Sequence, residues 1–121
     1  IDRGVHEFSF RIEVCDKSEL ERKATEFSQK PYTLNVYPHG KGVSYDSSPV
    51  VLSDHNVTLS AFRKMDDETY MIRLFNNLDT VRACTCTVMG TALDLKFGKY
   101  EVKTLLYKNG TLCEHDSMLM I

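Results

Sequence analysis

From residue 50 onward the chain repeats one arrangement: a short run in which apolar and polar side chains alternate, then a polar or glycine-containing break. Alternation with a period of two places every second side chain on the same side of an extended backbone, which is the signature of a strand with one buried face. In "NVTLSAFRKMDDETYMIRLFNN", residues 56–77, Val57, Leu59 and Ala61 face one way. Tyr70, Ile72 and Leu74 repeat the pattern beyond an acidic break. Further runs occupy 81–88, 93–97 and 100–107, and the last begins at Thr111. Asn109-Gly110 is the strongest turn signal, because both residues tolerate the positive φ that a two-residue hairpin requires. Short, closely spaced antiparallel strands predict a mainly β protein: an antiparallel β-sandwich of six to seven or more strands.

The first third reads differently. "GVHEFSFRIEV" sets Phe8, Phe10, Ile12 and Val14 on one face at period two and predicts a strand of about ten residues. In "KSELERKATEFSQKPY", Ser18 and Glu21 have capping-box spacing, Leu20, Ala24 and Phe27 recur at helical intervals, and Pro31 ends the run. One short amphipathic helix over roughly 18–28 follows, its charged residues forming a solvated face. Residues 32–49 hold the densest Pro, Gly and Ser and read as a connection, interrupted by an extended piece from Leu34 to Tyr37. The 121 residues suit a single domain. With no initiator Met and an opening inside a predicted strand, the chain reads as a piece of a longer protein.

Fifteen Lys and Arg against seventeen Asp and Glu leave a net charge of −2, so neither nucleic acid nor an anionic membrane is favoured as a partner. The apolar runs fall far short of the ~20 residues that cross a bilayer. Cys15, Cys84, Cys86 and Cys113 contain no C-x-x-C pair. Cys84 and Cys86 sit two apart in a strand and point to one face, as small buried thiols do. That favours a reducing compartment, cytoplasmic and bacterial, over a lysosomal or secretory one. The sequons Asn56-Val57-Thr58 and Asn109-Gly110-Thr111 carry weight only in a secreted eukaryotic protein.

Catalytic chemistry is sparse. Asp66, Asp67 and Glu68 lie at a hairpin tip, where water solvates all three carboxylates and nothing separates their pKa values. His6, His39, His55 and His115 fall in separate segments. Cys113, His115 and Asp116 come nearest to a metal constellation, but a regular strand does not converge three such neighbours on one ion. No nucleophile elbow, phosphate loop or H-E-x-x-H is present. No catalytic, cofactor or metal residue is assigned. The residue that stands out is Arg73, between Met71 and Phe75 on the face opposite Ile72 and Leu74. It is either an Arg whose stem packs and whose head pairs with an acid of this domain, such as Glu101, or a contact with another domain. Phe62, Cys84, Cys86, Leu105 and Tyr107 are expected to continue its face.

Four motifs in order carry a resemblance. "NVTLSAFRKMDDETYMIRLFNN" is similar to a stretch of the glycoside hydrolase family 38 α-mannosidases in which n-V-x-L-s-A-x-K precedes an acidic turn and i-x-R-L-y-N. "FGKYEVKTLLY" resembles the family's P-f-E-I-k-T-l, with Lys99 where Pro is usual. "DRGVHEFSFRI" resembles its G-x-H-x-F strand, and "KATEFSQKPY" its A-x-x-f-N-x-P helix end, with Ser28 in place of Asn. The resemblance implies a C-terminal β-sandwich portion of a retaining α-mannosidase that hydrolyses terminal α-mannosides. The zinc ion and the carboxylate nucleophile would belong to an N-terminal catalytic domain followed by a helical one. Those domains would be this chain's partners, the mannoside would reach it only through them, and the chain itself would hold no cofactor. Two other classes stay open: a free-standing carbohydrate-binding sandwich, which calls for exposed aromatics, and an immunoglobulin-like interaction module, which calls for a disulfide across the sheets.

Overall fold

The computed structural model describes residues 3–29, 31–33, 35, 37, 40 and 48–115. The chain divides into two compact units, Ile1–Thr33 and Leu34–Ile121. The extended piece expected at Leu34–Tyr37, His39, Asp116 and the last residues assigned to the sandwich lie wholly or partly outside the described residues.

In the first unit a single 3-10 turn, Lys17–Glu19, leads into helix α1, Leu20–Ser28. The helix carries exposed ion pairs on its solvated side, Arg22 with Glu26 at 2.6 Å and with Glu19 at 3.5 Å. Ser18 lies inside the 3-10 turn rather than capping α1, whose N-cap position is Glu19 with no side-chain cap hydrogen bond. The strand predicted before it does not form. Residues 5–14 pair with no ladder among the described residues, and Val5, Phe8, Phe10, Ile12 and Val14 are 84–99 % exposed. Alternation prepares a strand, but a strand exists only when a neighbour takes up its backbone N–H and C=O groups.

The second unit is a two-sheet sandwich built from β1 (Val50–Leu52), β2 (Val57–Lys64), β3 (Thr69–Asn76), β4 (Arg82–Val88), β5 (Thr91–Phe97), β6 (Val102–Lys108) and β7 (Thr111–His115). One sheet has the order β1-β4-β5 and the other β2-β3-β6-β7, every pair antiparallel. The hairpins β2–β3, β4–β5 and β6–β7 each stay in one sheet. The connections between them switch sheets, and that crossing brings strands distant in sequence into one core.

Two of the hairpins close with the same backbone. Asn109 and Gly110 stand at φ 50° and 80°, as the sequence predicts, and Met89 and Gly90 at 47° and 89°. Met89 bears the strain of a side chain in the left-handed region, which an Asn would lessen. The Thr91 hydroxyl donates to the Gly110 carbonyl at 3.0 Å and so ties the two turns across the sandwich.

The core lies between the sheets. Val50, Cys84, Cys86, Val88, Leu95 and Phe97 come from the first sheet, and Val57, Ile72, Leu74, Leu105 and Leu112 from the second. Phe97, Ile72, Leu74, Cys86, Val88 and Leu105 are wholly buried. Burying side chains of this size stabilises the fold by roughly 1.5–3 kcal/mol each, against the entropy of ordering the strands.

Candidate functional site

The outer face of the second sheet is where the sequence placed its one candidate, Arg73. Strand register fixes what surrounds it. Ala61 of β2 and Thr104 of β6 lie directly opposite, and His115 of β7 lies opposite Thr104. Met71 and Phe75 flank Arg73 on its own strand, with Leu106 and Val102 as their partners on β6. Arg73, Phe75, Val102 and Leu106 are half-buried, while Met71 and Thr104 are buried at 7 % and 4 % exposure. The Ser60 hydroxyl donates to the Arg73 carbonyl at 3.1 Å, fixing the backbone beneath the guanidinium.

Part of the expected face belongs elsewhere. Leu105 pairs with Ile72 and Tyr107 with Tyr70, and directly opposed residues share a face, so both point into the sandwich. Cys84 and Cys86 also belong to the core, with Val88, and not with Met71 and Phe75. A β-bulge at Leu59/Ala61 shifts the register of β2 by one residue. Beyond it Ala61 joins the Arg73 face and Phe62 turns to the side of Ile72, its ring stacked on Tyr70 at 5.5 Å. A one-residue slip flips every later side chain, and the sequence of β2 carries no glycine to announce it. Glu101, considered as the acid for Arg73, lies at the same parity as Lys103 and Leu105 on the inward side. It accepts a hydrogen bond from the Gly98 N–H and pairs with Lys103 at 3.5 Å.

That inward edge holds a buried polar network centred on Asn76, which sequence reading did not single out. Asn76, at the end of β3, is fully buried. Its Nδ2 donates to the carbonyls of Thr80 at 2.8 Å and Gly98 at 2.6 Å, and its Oδ1 accepts from the Leu78 N–H at 3.1 Å. Its own backbone N–H donates to the Glu101 carbonyl at 2.9 Å. Two connections between sheets, β3–β4 and β5–β6, are thereby held by one side chain. Lys103 sits beside them, its ammonium 5.8 Å from the centre of the buried Phe97 ring and paired with Glu114 and Glu101. A polar residue ending an alternating strand, followed by a loop, was the available signal for Asn76.

Three ionisable groups of the sandwich are shifted in the direction opposite to the one catalysis would need. Hydrogen bonding to Glu114 raises the Lys103 pKa above its ordinary 10.5, where a nucleophilic lysine needs the opposite. Burial, assisted by the neighbouring Cys84, pushes the Cys86 thiol up to about 11, whereas a reactive cysteine is a thiolate near neutrality. At the β2–β3 tip the Glu68 and Thr69 backbone N–H groups donate to Asp66 at 2.9 and 2.7 Å and hold its carboxyl below the usual range, unlike a general acid. Asp67 pairs with Lys64 at 3.0 Å, and Glu68 accepts from Asn109 at 3.1 Å. The expectation that nothing at the tip shifts a carboxylate fails at Asp66, because the turn aims backbone N–H groups at it, but all three carboxylates remain an exposed, folded turn.

His6 belongs to the N-terminal unit, His55 to the exposed β1–β2 turn and His115 to β7. Among the described residues no three His, Cys, Asp or Glu are grouped to hold a metal ion, and no helix is long and apolar enough to cross a membrane. The N-terminal unit has a groove of about 390 Å³ lined by Phe10, Cys15, Leu20, Ala24 and Phe27. On its rim the Lys23 ammonium is hydrogen bonded to Glu13 and holds that carboxyl low. All four cysteines are free. No known family, no curated protein and no solved structure matches this chain.

Proposed function

We propose that the chain is a non-catalytic β-sandwich domain of a retaining, zinc-dependent α-mannosidase, a scaffold against which the catalytic domain of the same polypeptide is held. One observation carries the proposal: in the two motifs that lie within the sandwich, Asn76, Glu101 and Lys103 are residues the sandwich uses to hold its own connections. Asn76 ends the "IRLFN" motif and binds both sheet-switching loops. Glu101 of "YEVKT" accepts from the Gly98 N–H and pairs with Lys103 of the same motif. Residues so committed to architecture suit a domain whose motifs record a fold rather than a reaction. The half-buried Arg73, among Met71, Phe75, Val102 and Leu106, is the proposed contact with the neighbouring domain, since a planar guanidinium on an apolar stem suits a boundary where a carboxylate can be met in two places.

The carbohydrate-binding reading finds less support. Phe62, Tyr70 and Tyr107 form a row with ring centres 5.5 and 6.4 Å apart, but Tyr70 and Tyr107 pack against the core instead of presenting flat faces to solvent. An immunoglobulin-like module would call for a disulfide, and the cysteines are free.

The test is the gene that encodes the chain. The proposal expects an upstream reading frame encoding a zinc-binding hydrolase domain, and an expressed full-length product that cleaves an aryl α-mannoside while the 121-residue chain alone does not. A frame that codes for this chain and nothing more, or a full-length product inert on α-mannosides, defeats it.

A further inference from the structure

Residues 5–14 combine two properties rarely left standing in water. Phe8, Phe10, Ile12 and Val14 occupy alternate positions and are 84–99 % exposed, and the backbone between them belongs to no ladder among the described residues. The intervening positions are polar: Glu7, Ser9, Arg11 and Glu13. Arg11 pairs with Glu13 at 2.6 Å and Glu13 with Lys23 of α1, so the helix is linked to the polar side; on the apolar side only Phe10 borders the helix groove, and it too stays 85 % exposed. A segment of this kind is an open template for another strand.

We propose that it pairs with the same segment of a second copy of the chain, antiparallel, about a two-fold axis through Ser9. Charge pairing and the length of extended backbone before the Lys17–Glu19 turn together select this partner and this register. An axis at Ser9 sets Glu7 opposite Arg11 of the other copy and, by symmetry, Arg11 opposite Glu7. On the apolar side it sets Phe8 opposite Phe10 twice. Moving the axis to Phe10 opposes Glu7 to Glu13, and moving it to Arg11 opposes two arginines. Moving it to Ile12 also opposes Arg11 to Glu13, but it sets Glu7 against Lys17 inside the 3-10 turn and so shortens the ladder. Cross-strand ion pairs and aromatic pairs are the units that stabilise an antiparallel ladder, and a two-fold interface supplies each of them twice. This inference is independent of the mannosidase reading.

The experiment is light scattering on the 121-residue chain and two charge-reversed variants, Glu7→Arg and Arg11→Glu. Both positions lie outside the sandwich core, so each variant should retain the cooperative melt of the β unit, which is measured alongside. The expected result is a two-chain species for the parent and at least about tenfold weaker association for each variant, since both ion pairs become like-charge pairs. An equimolar mixture of the two variants should recover the two-chain species, because the two guanidinium groups of one chain then face the two carboxylates of the other. A parent chain that stays single on the order of 100 µM overturns the proposal. So does association that ignores both reversals, or backbone amides of residues 5–14 that become protected only in a longer polypeptide, which would assign the strand to a neighbouring domain.

Discussion

The Asn76 side chain, at the end of a strand in one sheet, donates a 2.6 Å hydrogen bond to the carbonyl of Gly98, which follows a strand of the other sheet. Together with Thr80 and Leu78 it satisfies the whole amide in a site closed to water. Asn76→Ala leaves three backbone groups without partners, and the expected loss is about 2–4 kcal/mol in chemical denaturation. Asn76→Asp keeps the acceptor but loses both donations and should fall in the same range. A loss under about 0.5 kcal/mol for Asn76→Ala would show that water replaces the amide at no cost.

Arg73→Met keeps an apolar stem and deletes the charge. An interdomain role predicts a change below about 1 kcal/mol in this chain, and a lower melting temperature when the full polypeptide carries the same substitution. A loss above about 2 kcal/mol in the isolated chain assigns the guanidinium to this domain.

Cys86 links burial to pH. Its thiol titrates at about 11 in the folded chain against an ordinary 9.0, so the neutral form is the one the fold favours. A group with a raised folded pKa contributes fully below the unfolded value and loses that contribution as pH climbs through the folded one. The stability curve should therefore fall by up to about 2 kcal/mol between pH 9 and 11 relative to Cys86→Ala, which lacks the group. Alkylation followed by mass spectrometry should modify exposed Cys113 first and leave Cys84 and Cys86 for last.

The two sequons are not equivalent. Asn56 is buried at 3 % exposure and its Nδ2 lies 3.4 Å from Asp54, while Asn109 sits exposed in the β6–β7 turn. When the chain is directed through a eukaryotic secretory pathway, folded product should carry a glycan at Asn109 alone. Glycopeptide mapping that finds native protein modified at Asn56 contradicts this placement.

Much of the sandwich was legible because a strand's pattern is local. Alternation marked β2, β3, β4 and β6, and Asn109-Gly110 marked a turn whose φ values only a few residues tolerate. The acidic tip was legible as solvated because a hairpin end has no neighbours to bury it. Helix spacing placed α1 to within its 3-10 entry.

What the sequence alone could not decide depended on partners distant along the chain. Phe8, Phe10, Ile12 and Val14 prescribe a strand, but the ladder that would make it one is a relation with another backbone. Ser60 looks like any polar strand residue, and only its pairing with β3 makes it a bulge that turns Phe62 inward and Ala61 outward. Leu105 and Tyr107 alternate correctly in either direction, and the register Ile72 to Leu105 chose the buried one. Asn76 became the fastening of two loops because the chain crosses between sheets on both sides of it, bringing Thr80 and Gly98 to one amide. Periodicity fixes which residues travel together on a face; long-range pairing decides where that face points, because only packing can tell a hydrophobic side from the side that is buried.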